Sequence, residues 1–174
     1  MKSNFSTPVI SVLVTLLLAV PCARAQTAVT TADANFLQAA AEGGLTEVKL
    51  GELAAKQGTT EALREFGQQM IKDHGAINDN LKALATAKGV TLPTGLDEKH
   101  QAQVDKTAAL PGSEFDDTYL IDTVKAHEKD DLAFKAESAA THDVDIKGFV
   151  DKTIPVVEAH LRMAAGMSKT GMTK

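Results

Sequence analysis

The chain has 174 residues, 44% hydrophobic and 24% charged, and its 23 Asp and Glu outweigh 18 Lys and Arg to give a net charge of −5. That acidic balance argues against nucleic acid and anionic lipid headgroups as partners. With one Cys, no Trp, one Tyr and six Phe, a disulfide framework and an aromatic core are both excluded. The interior must come from Leu, Ile, Val, Met and Ala, and small residues each bury little area at ~25 cal/mol per Å². Such a fold needs long contacts, which long helices supply.

The N-terminal stretch MKSNFSTPVISVLVTLLLAVPCARAQ carries Lys2, an apolar run from Pro8 to Val20 and the triplet Ala23-Arg24-Ala25. This is the pattern of a secretory signal peptide cleaved after Ala25. The run is shorter than the about 20 residues a membrane span needs. Cys22 follows Pro21, where a lipobox carries Gly, Ala or Ser, so a lipid anchor is not expected. Cleavage would remove Lys2 and Arg24 with no acid, taking the net charge from −5 to −7. It would also remove the sole cysteine, and with it any thiolate for metal binding or nucleophilic catalysis. The expected organisation is a signal peptide at 1–25, a short linker at 26–32, a helical domain at 33–168 and a frayed tail at 169–174.

Asp33 opens the first helical run, which Gly58 ends, with Phe36, Ala40, Gly43, Glu47, Leu50 and Ala54 on one face. Gly43-Gly44 lies inside this run and reads as close helix packing. Thr60 caps the second run, which Gly89 ends. Its seam is Leu63, Phe66 or Gly67, Met70, His74, Ile77, Leu81 and Leu84, in the alternating steps of helices packed at a shallow angle. Gly89, Pro93, Gly95, Pro111 and Gly112 then mark a connection in which DEKHQAQVDKTAAL forms a short helix. Ser113 caps a third long run to about Thr141, with Leu120, Val124, His127, Asp131 and Phe134 on its seam. Asp143 caps the fourth, whose seam is Ile146, Phe149, Thr153, Val156, His160, Met163 and Met167. Pro155 lies inside it and is expected to kink the helix or break it in two.

A faint repeat relates the halves. Phe36-Leu37 matches Tyr119-Leu120, and Thr60-x-x-Leu63-Arg64-x-Phe66 matches Asp143-x-x-Ile146-Lys147-x-Phe149. Two helical hairpins joined by a long segment give an all-α, ferritin-like four-helix bundle with a crossover between its second and third long helices. A simple up-down-up-down bundle with a loose middle is the alternative.

Polar residues interrupt the seams at one height. His74 and His127 lie about 14 residues past Thr60 and Ser113, Glu47 about 14 past Asp33 and His160 about 17 past Asp143, which at 1.5 Å per residue puts all four roughly 21–26 Å along their helices. Several polar groups at one level of a core must satisfy each other, hold water or bind a cation. Imidazoles and carboxylates suit zinc, copper, nickel and iron. The candidate metal ligands are therefore His74, His127 and His160, with Glu47 or Asp131 completing the shell; Asp131 alternatively orients His127. Asp73 and Glu158 are expected to point to other faces into solvent, and His100 and His142 to be surface residues. Met70, Met163 and Met167 share faces with the histidines and read as core filler. There is no nucleophile motif and no phosphate-cradling loop.

The blocks AAAEGGLTEVKLGELAAKQG, LREFGQQMIKDH, FDDTYLIDTVKAHEKD and IPVVEAHLRMA, in this order, resemble the bacterial family catalogued as domain of unknown function 4142. Its members are often labelled putative outer-membrane proteins and grouped with ferritin-like folds. The resemblance runs from about Phe36 to Met163. It implies an exported four-helix bundle without an established activity, and it places His74, His127 and His160 on motif positions. The chain departs from di-iron bundles, which use Glu-x-x-His: that motif is absent, and Glu158 and His160 are two apart, on different faces. Zinc or copper is thus favoured over a di-iron pair. A helical chain without a span or anchor can only associate peripherally with an outer membrane. Three functions compete: a periplasmic or secreted metal binder, a non-metal structural or stress-related bundle, and a metal-dependent redox or hydrolytic enzyme.

Overall fold

In a computed structural model, residues 28–171 are described; the signal-peptide reading of residues 1–25 lies outside them. Five helices follow one another: α1 (Thr31–Gln57), α2 (Glu61–Lys88), α3 (Glu98–Ala108), α4 (Gly112–Ala140) and α5 (Val144–Gly171). No strand occurs among the described residues.

Most helix ends fall where the sequence signals them. Thr60 Oγ1 accepts from the Leu63 amide at the start of α2, and Gly89 ends that helix at φ 70°, a left-handed conformation that glycine adopts without a Cβ penalty. Asp143 Oδ1 accepts from the amides of Asp145 (2.9 Å) and Ile146 (3.1 Å) before α5. Two starts differ from expectation. Thr30, not Asp33, caps α1; Asp33 is the third helical residue and reaches back to the Thr30 amide, completing a capping box. α4 starts at Gly112 behind Pro111, without a side-chain cap, so Ser113 lies inside the first turn. Pro155 neither ends nor divides α5, which runs through it as one helix. Pro155 and Asp151 are both exposed, so the Asp151 carbonyl deprived of its helical donor can be hydrated.

α1 pairs chiefly with α2 and α4 with α5, while α2 also meets α5 and α1 meets α4. Directions follow from side-chain contacts. Along α1 and α4, Phe36 stacks edge-on against Phe134 at 5.0 Å between centroids, and Thr59 just past α1 bonds Asp116, so these helices are antiparallel. Along α2 and α5, Asp73 meets His160 and Lys88 meets Asp143, again antiparallel. Across the diagonal, Phe66 meets Tyr119 and His74 meets His127, so α2 and α4 run the same way. Joining the end of α2 to the start of α4 requires a connection as long as the bundle. Residues 89–111 provide it and place α3 against α1 and α4. This is the crossover layout of a four-helix bundle, not the simple up-down-up-down alternative.

The core is in two apolar pieces. One contains Leu50, Ala54, Leu63, Phe66, Met70, Val104, Phe115, Tyr119, Leu120 and Ala164. The other contains Leu37, Ala41, Leu81, Phe134, Ile146 and Val150. Between them lie buried Glu47, His74, Thr123, His127, Thr153 and His160. The seams differ in part from expectation. The first half of α1 buries Leu37, Ala41 and Gly44, one position past Phe36, Ala40 and Gly43. α5 buries Val150, Val157 and Ala164, while Met163 is 41% exposed.

Two glycines let α1 and α2 close on one another. A Cβ at Gly67 would lie 2.5 Å from the Ala55 nitrogen and 2.8 Å from the Gly51 oxygen, both backbone atoms that cannot step aside. Gly44 similarly leaves room for the Asn78 side chain. Gly43 meets nothing within 4 Å. Gly67→Ala is therefore expected to lower stability by about 1–3 kcal/mol through overpacking. Gly43→Ala should raise it by about 0.5–1 kcal/mol. Urea unfolding of the two variants beside the parent protein checks both signs.

Candidate metal centre

α2 supplies His74, α4 supplies His127 and α5 supplies His160, with exposures of 5%, 0% and 1%. One ring nitrogen from each lies within 4.8 Å of the others. The ring centroids form a near-equilateral triangle, at 5.4 Å for His74–His127, 5.2 Å for His74–His160 and 5.5 Å for His127–His160. The closest approach is between the Nε2 atoms of His74 and His127, at 3.4 Å.

Each ring is held from outside the triangle or by its neighbour. His127 Nδ1 donates to the Thr123 carbonyl at 3.0 Å, one helical turn back, which leaves its Nε2 as the lone-pair nitrogen. His160 Nε2 lies 3.0 Å from Asp73 Oδ2, while its Nδ1 is buried without a hydrogen-bond partner. Phe66 meets the His160 ring edge-on at 6.2 Å and caps the layer on the side of the first core piece.

Glu47 is a further titratable side chain buried at this level, 4% exposed. Its Oε1 lies 3.9 Å from His127 Nδ1, on the side of the ring opposite the Nε2 that faces His74. Its Oε2 has no partner, while the hydroxyls of Tyr119 and Thr123 face each other. Burial, aided by the Asp130 charge, pushes the Glu47 carboxyl up to about 8. Burial first, and the neighbouring imidazoles after it, depress His74 to about 3 and His127 to about 4. Burial, and then Glu47, raises the Tyr119 phenol above its ordinary value. Without an ion, the layer is uncharged at neutral pH at Glu47, His74 and His127.

Two sequence expectations change here. Asp131 does not join the triangle: it pairs with Lys135 at 2.9 Å, and Lys135 also binds Glu158 at 2.7 Å. It lies one turn beyond His127, and Lys135 draws it to the rim. Asp73 was expected in solvent, yet it contacts His160. α2 packs against both α1 and α5, so its inward arc is wide enough to include consecutive residues. Burial alone would raise the Asp73 carboxyl, but hydrogen bonds from Gln69 and His160 outweigh it and hold Asp73 below the usual range. The adjacency of Asp73 to His74 was the one sequence signal for this contact. His100 lies outside the layer, in a half-exposed group with Asp97 and Glu42, its Nδ1 2.8 Å from Asp97.

The family model described as "Domain of unknown function (DUF4142)" matches residues 18–167. No curated protein matches the chain. Two solved structures share the fold. A DUF305 fragment from Deinococcus radiodurans superposes with a TM-score of 0.72 at 11% identity, covering 82% of this chain and 98% of that one. CopM in the Cu(I)-bound form superposes at 0.68 with 13% identity, covering 79% and 96%. Among the described residues no helix is long and apolar enough to cross a membrane.

The shifted groups set opposite pH limits on the ion-free protein. His74 and His127 fold neutral, so stability is complete above their unfolded value of 6.5 and falls as pH drops through it toward 4 and 3. Glu47 folds protonated, so stability falls as pH rises from 4.5 to about 8. Glu47→Gln should therefore stabilise the ion-free protein at pH 8 by about 2 kcal/mol or more, with the gain vanishing near pH 4.5. Thermal melts of both proteins across this range test the crossover.

Proposed function

The chain belongs to the DUF4142 family, and we propose that it is an exported helical bundle that holds one transition-metal ion at the His74–His127–His160 layer. The observation that carries this reading is the convergence of three buried imidazoles from three helices, each with a nitrogen within 4.8 Å of the others. Neutral imidazole is the ligand form, and burial keeps His74 and His127 neutral at pH 7.

The spacing suits the chemistry. Two nitrogens each bound at about 2.0–2.1 Å to one tetrahedral ion lie ~3.4 Å apart, and the His74 and His127 Nε2 atoms are 3.4 Å apart. Three imidazole nitrogens leave a fourth position to water, a small ligand or a carboxylate. Glu47 is the buried acid beside the layer, and loss of its proton would balance part of a divalent charge. Zinc and copper fit a histidine-rich set better than a di-iron pair. The fold likeness to a protein whose structure holds Cu(I) makes copper the first ion to test. Export rests on the signal-peptide pattern of residues 1–25.

The non-metal alternative draws on the hydrogen bonds that already link His127 to Thr123 and His160 to Asp73. Against it stand His160 Nδ1 and Glu47 Oε2, both buried and unpartnered. Unpartnered buried acceptors beside three converging imidazoles are better explained by a ligand there. An enzyme would use the same ion through the open fourth position.

Protein purified from the periplasm should carry one metal ion per chain by elemental analysis, and His74→Ala and His160→Ala should each abolish it. A chelator should lower the melting temperature, since occupancy at 100 times Kd stabilises the fold by about 2.7 kcal/mol. Metal well below one per chain, unchanged by either substitution, together with a melting temperature indifferent to chelator, would return the layer to the structural reading.

A further inference from the structure

We infer that Asp73 is the positioning residue of the layer: it holds the proton of His160 on Nε2 and thereby presents Nδ1 of that ring as the ligand atom. This rests on the metal reading above. A neutral imidazole carries one N–H, and the nitrogen that has it is set by the hydrogen bond the ring makes. Asp73 Oδ2 lies 3.0 Å from Nε2, and an ionised carboxylate can only accept, so Nε2 must donate. The lone pair is then on Nδ1, the nitrogen that is buried with no partner.

Asp73 itself stands outside the ligand set. Among the described residues, only the three histidines have ligand atoms mutually within 4.8 Å at this layer. Its side chain is 25% exposed while His160 is 1% exposed. It lines a groove of about 610 Å³ between α2 and α5, with Ile77, Asn80, Lys152 and Thr153 among its neighbours. The groove opens Asp73 to solvent, so its charge needs no buried cation beside it. Gln69, one turn earlier on α2, donates to the same oxygen at 2.5 Å and fixes its orientation.

The three rings therefore present different nitrogens. His127 is locked through Nδ1 by the Thr123 carbonyl and offers Nε2. His160 is locked through Nε2 by Asp73 and offers Nδ1. An orienting carboxylate of this kind is worth 10–100-fold in metal affinity. It also joins the hairpins, since α2 supplies both a ligand and the group that orients the α5 ligand.

The test compares the parent protein with Asp73→Ala, Asp73→Asn and His74→Ala. Zinc and Cu(I) titrations read affinity and stoichiometry, and nitrogen NMR of the metal-free protein reads the His160 proton. Asp73→Ala should bind 10–100-fold more weakly with stoichiometry preserved. Asp73→Asn, which keeps an acceptor oxygen, should recover part of that loss. In the parent, His160 Nε2 should be protonated and Nδ1 bare, and Asp73→Ala should move proton onto Nδ1. Unchanged affinity in Asp73→Ala, or a bare Nε2 in the parent, would overturn the role. Loss of an oxygen ligand in the X-ray absorption spectrum of Asp73→Ala would overturn it too, by making Asp73 a ligand; in these three cases the parent still binds metal. A parent titration as flat as that of His74→Ala removes the metal reading itself.

Discussion

Glu47, His74, His127 and His160 share one level between the two apolar pieces of the core, and the bundle is organised around meeting their needs. Each buried polar group left unpaired costs about 1–3 kcal/mol, so the level is expensive unless it is satisfied. The hydrogen bonds present occupy Nδ1 of His127 and Nε2 of His160, leaving a His127 Nε2 that faces His74 and a buried His160 Nδ1 without a partner. In the absence of an ion, His74 Nε2–H can donate to His127 Nε2 across 3.4 Å, a long bond that leaves His160 Nδ1 orphaned. A cation at the centre would meet a lone pair from each of the three rings at once, which one proton shared between two rings cannot do.

The backbone serves the same requirement. Glu47 and His74 reach one height because α1 and α2 cross closely where Gly51 faces Gly67. The crossover through α3 makes α2 and α4 parallel, so that His74 and His127, each near mid-helix, meet across the diagonal. At the far end Lys88 joins Asp143 at 2.6 Å and Asp145 at 2.7 Å, holding the end of α2 to the start of α5 and keeping that pair in register.

Much of this was legible in the sequence. The helical periods, Thr60, Gly89 and Asp143 located α2 and the start of α5, and the Gly- and Pro-marked segment located the crossover. The matching distances of the histidines from their caps located the layer, because height along a helix follows from counting residues. Rotation about the helix axis was less legible. α1 packs against α2, α3 and α4, and its first half turns Leu37 and Ala41 inward in place of Phe36 and Ala40. Phe36 still packs against Phe134 from the edge of that face. On α5 the small Ala164 takes the inner position and Met163 stays outside, a choice set by the space between helices. Asp73 was missed for the same reason: a single-stripe picture of α2 has no place for a second inward direction toward α5. Asp131 and Lys135 are one turn apart on α4, and their pairing overrode a seam position that spacing alone assigned to the core.

The layer is divided unequally between the two hairpins. α1 and α2 contribute Glu47, Asp73 and His74; α4 and α5 contribute His127 and His160. Contacts within each hairpin are denser than those between them, so each hairpin has the means to form locally, while the triangle exists only once they dock. An ion seated there would act as a removable cross-link, tying together the two halves along their weaker seam. Metal occupancy would then govern how readily the hairpins separate, and the bundle would loosen between its halves while the helices within each half stayed paired.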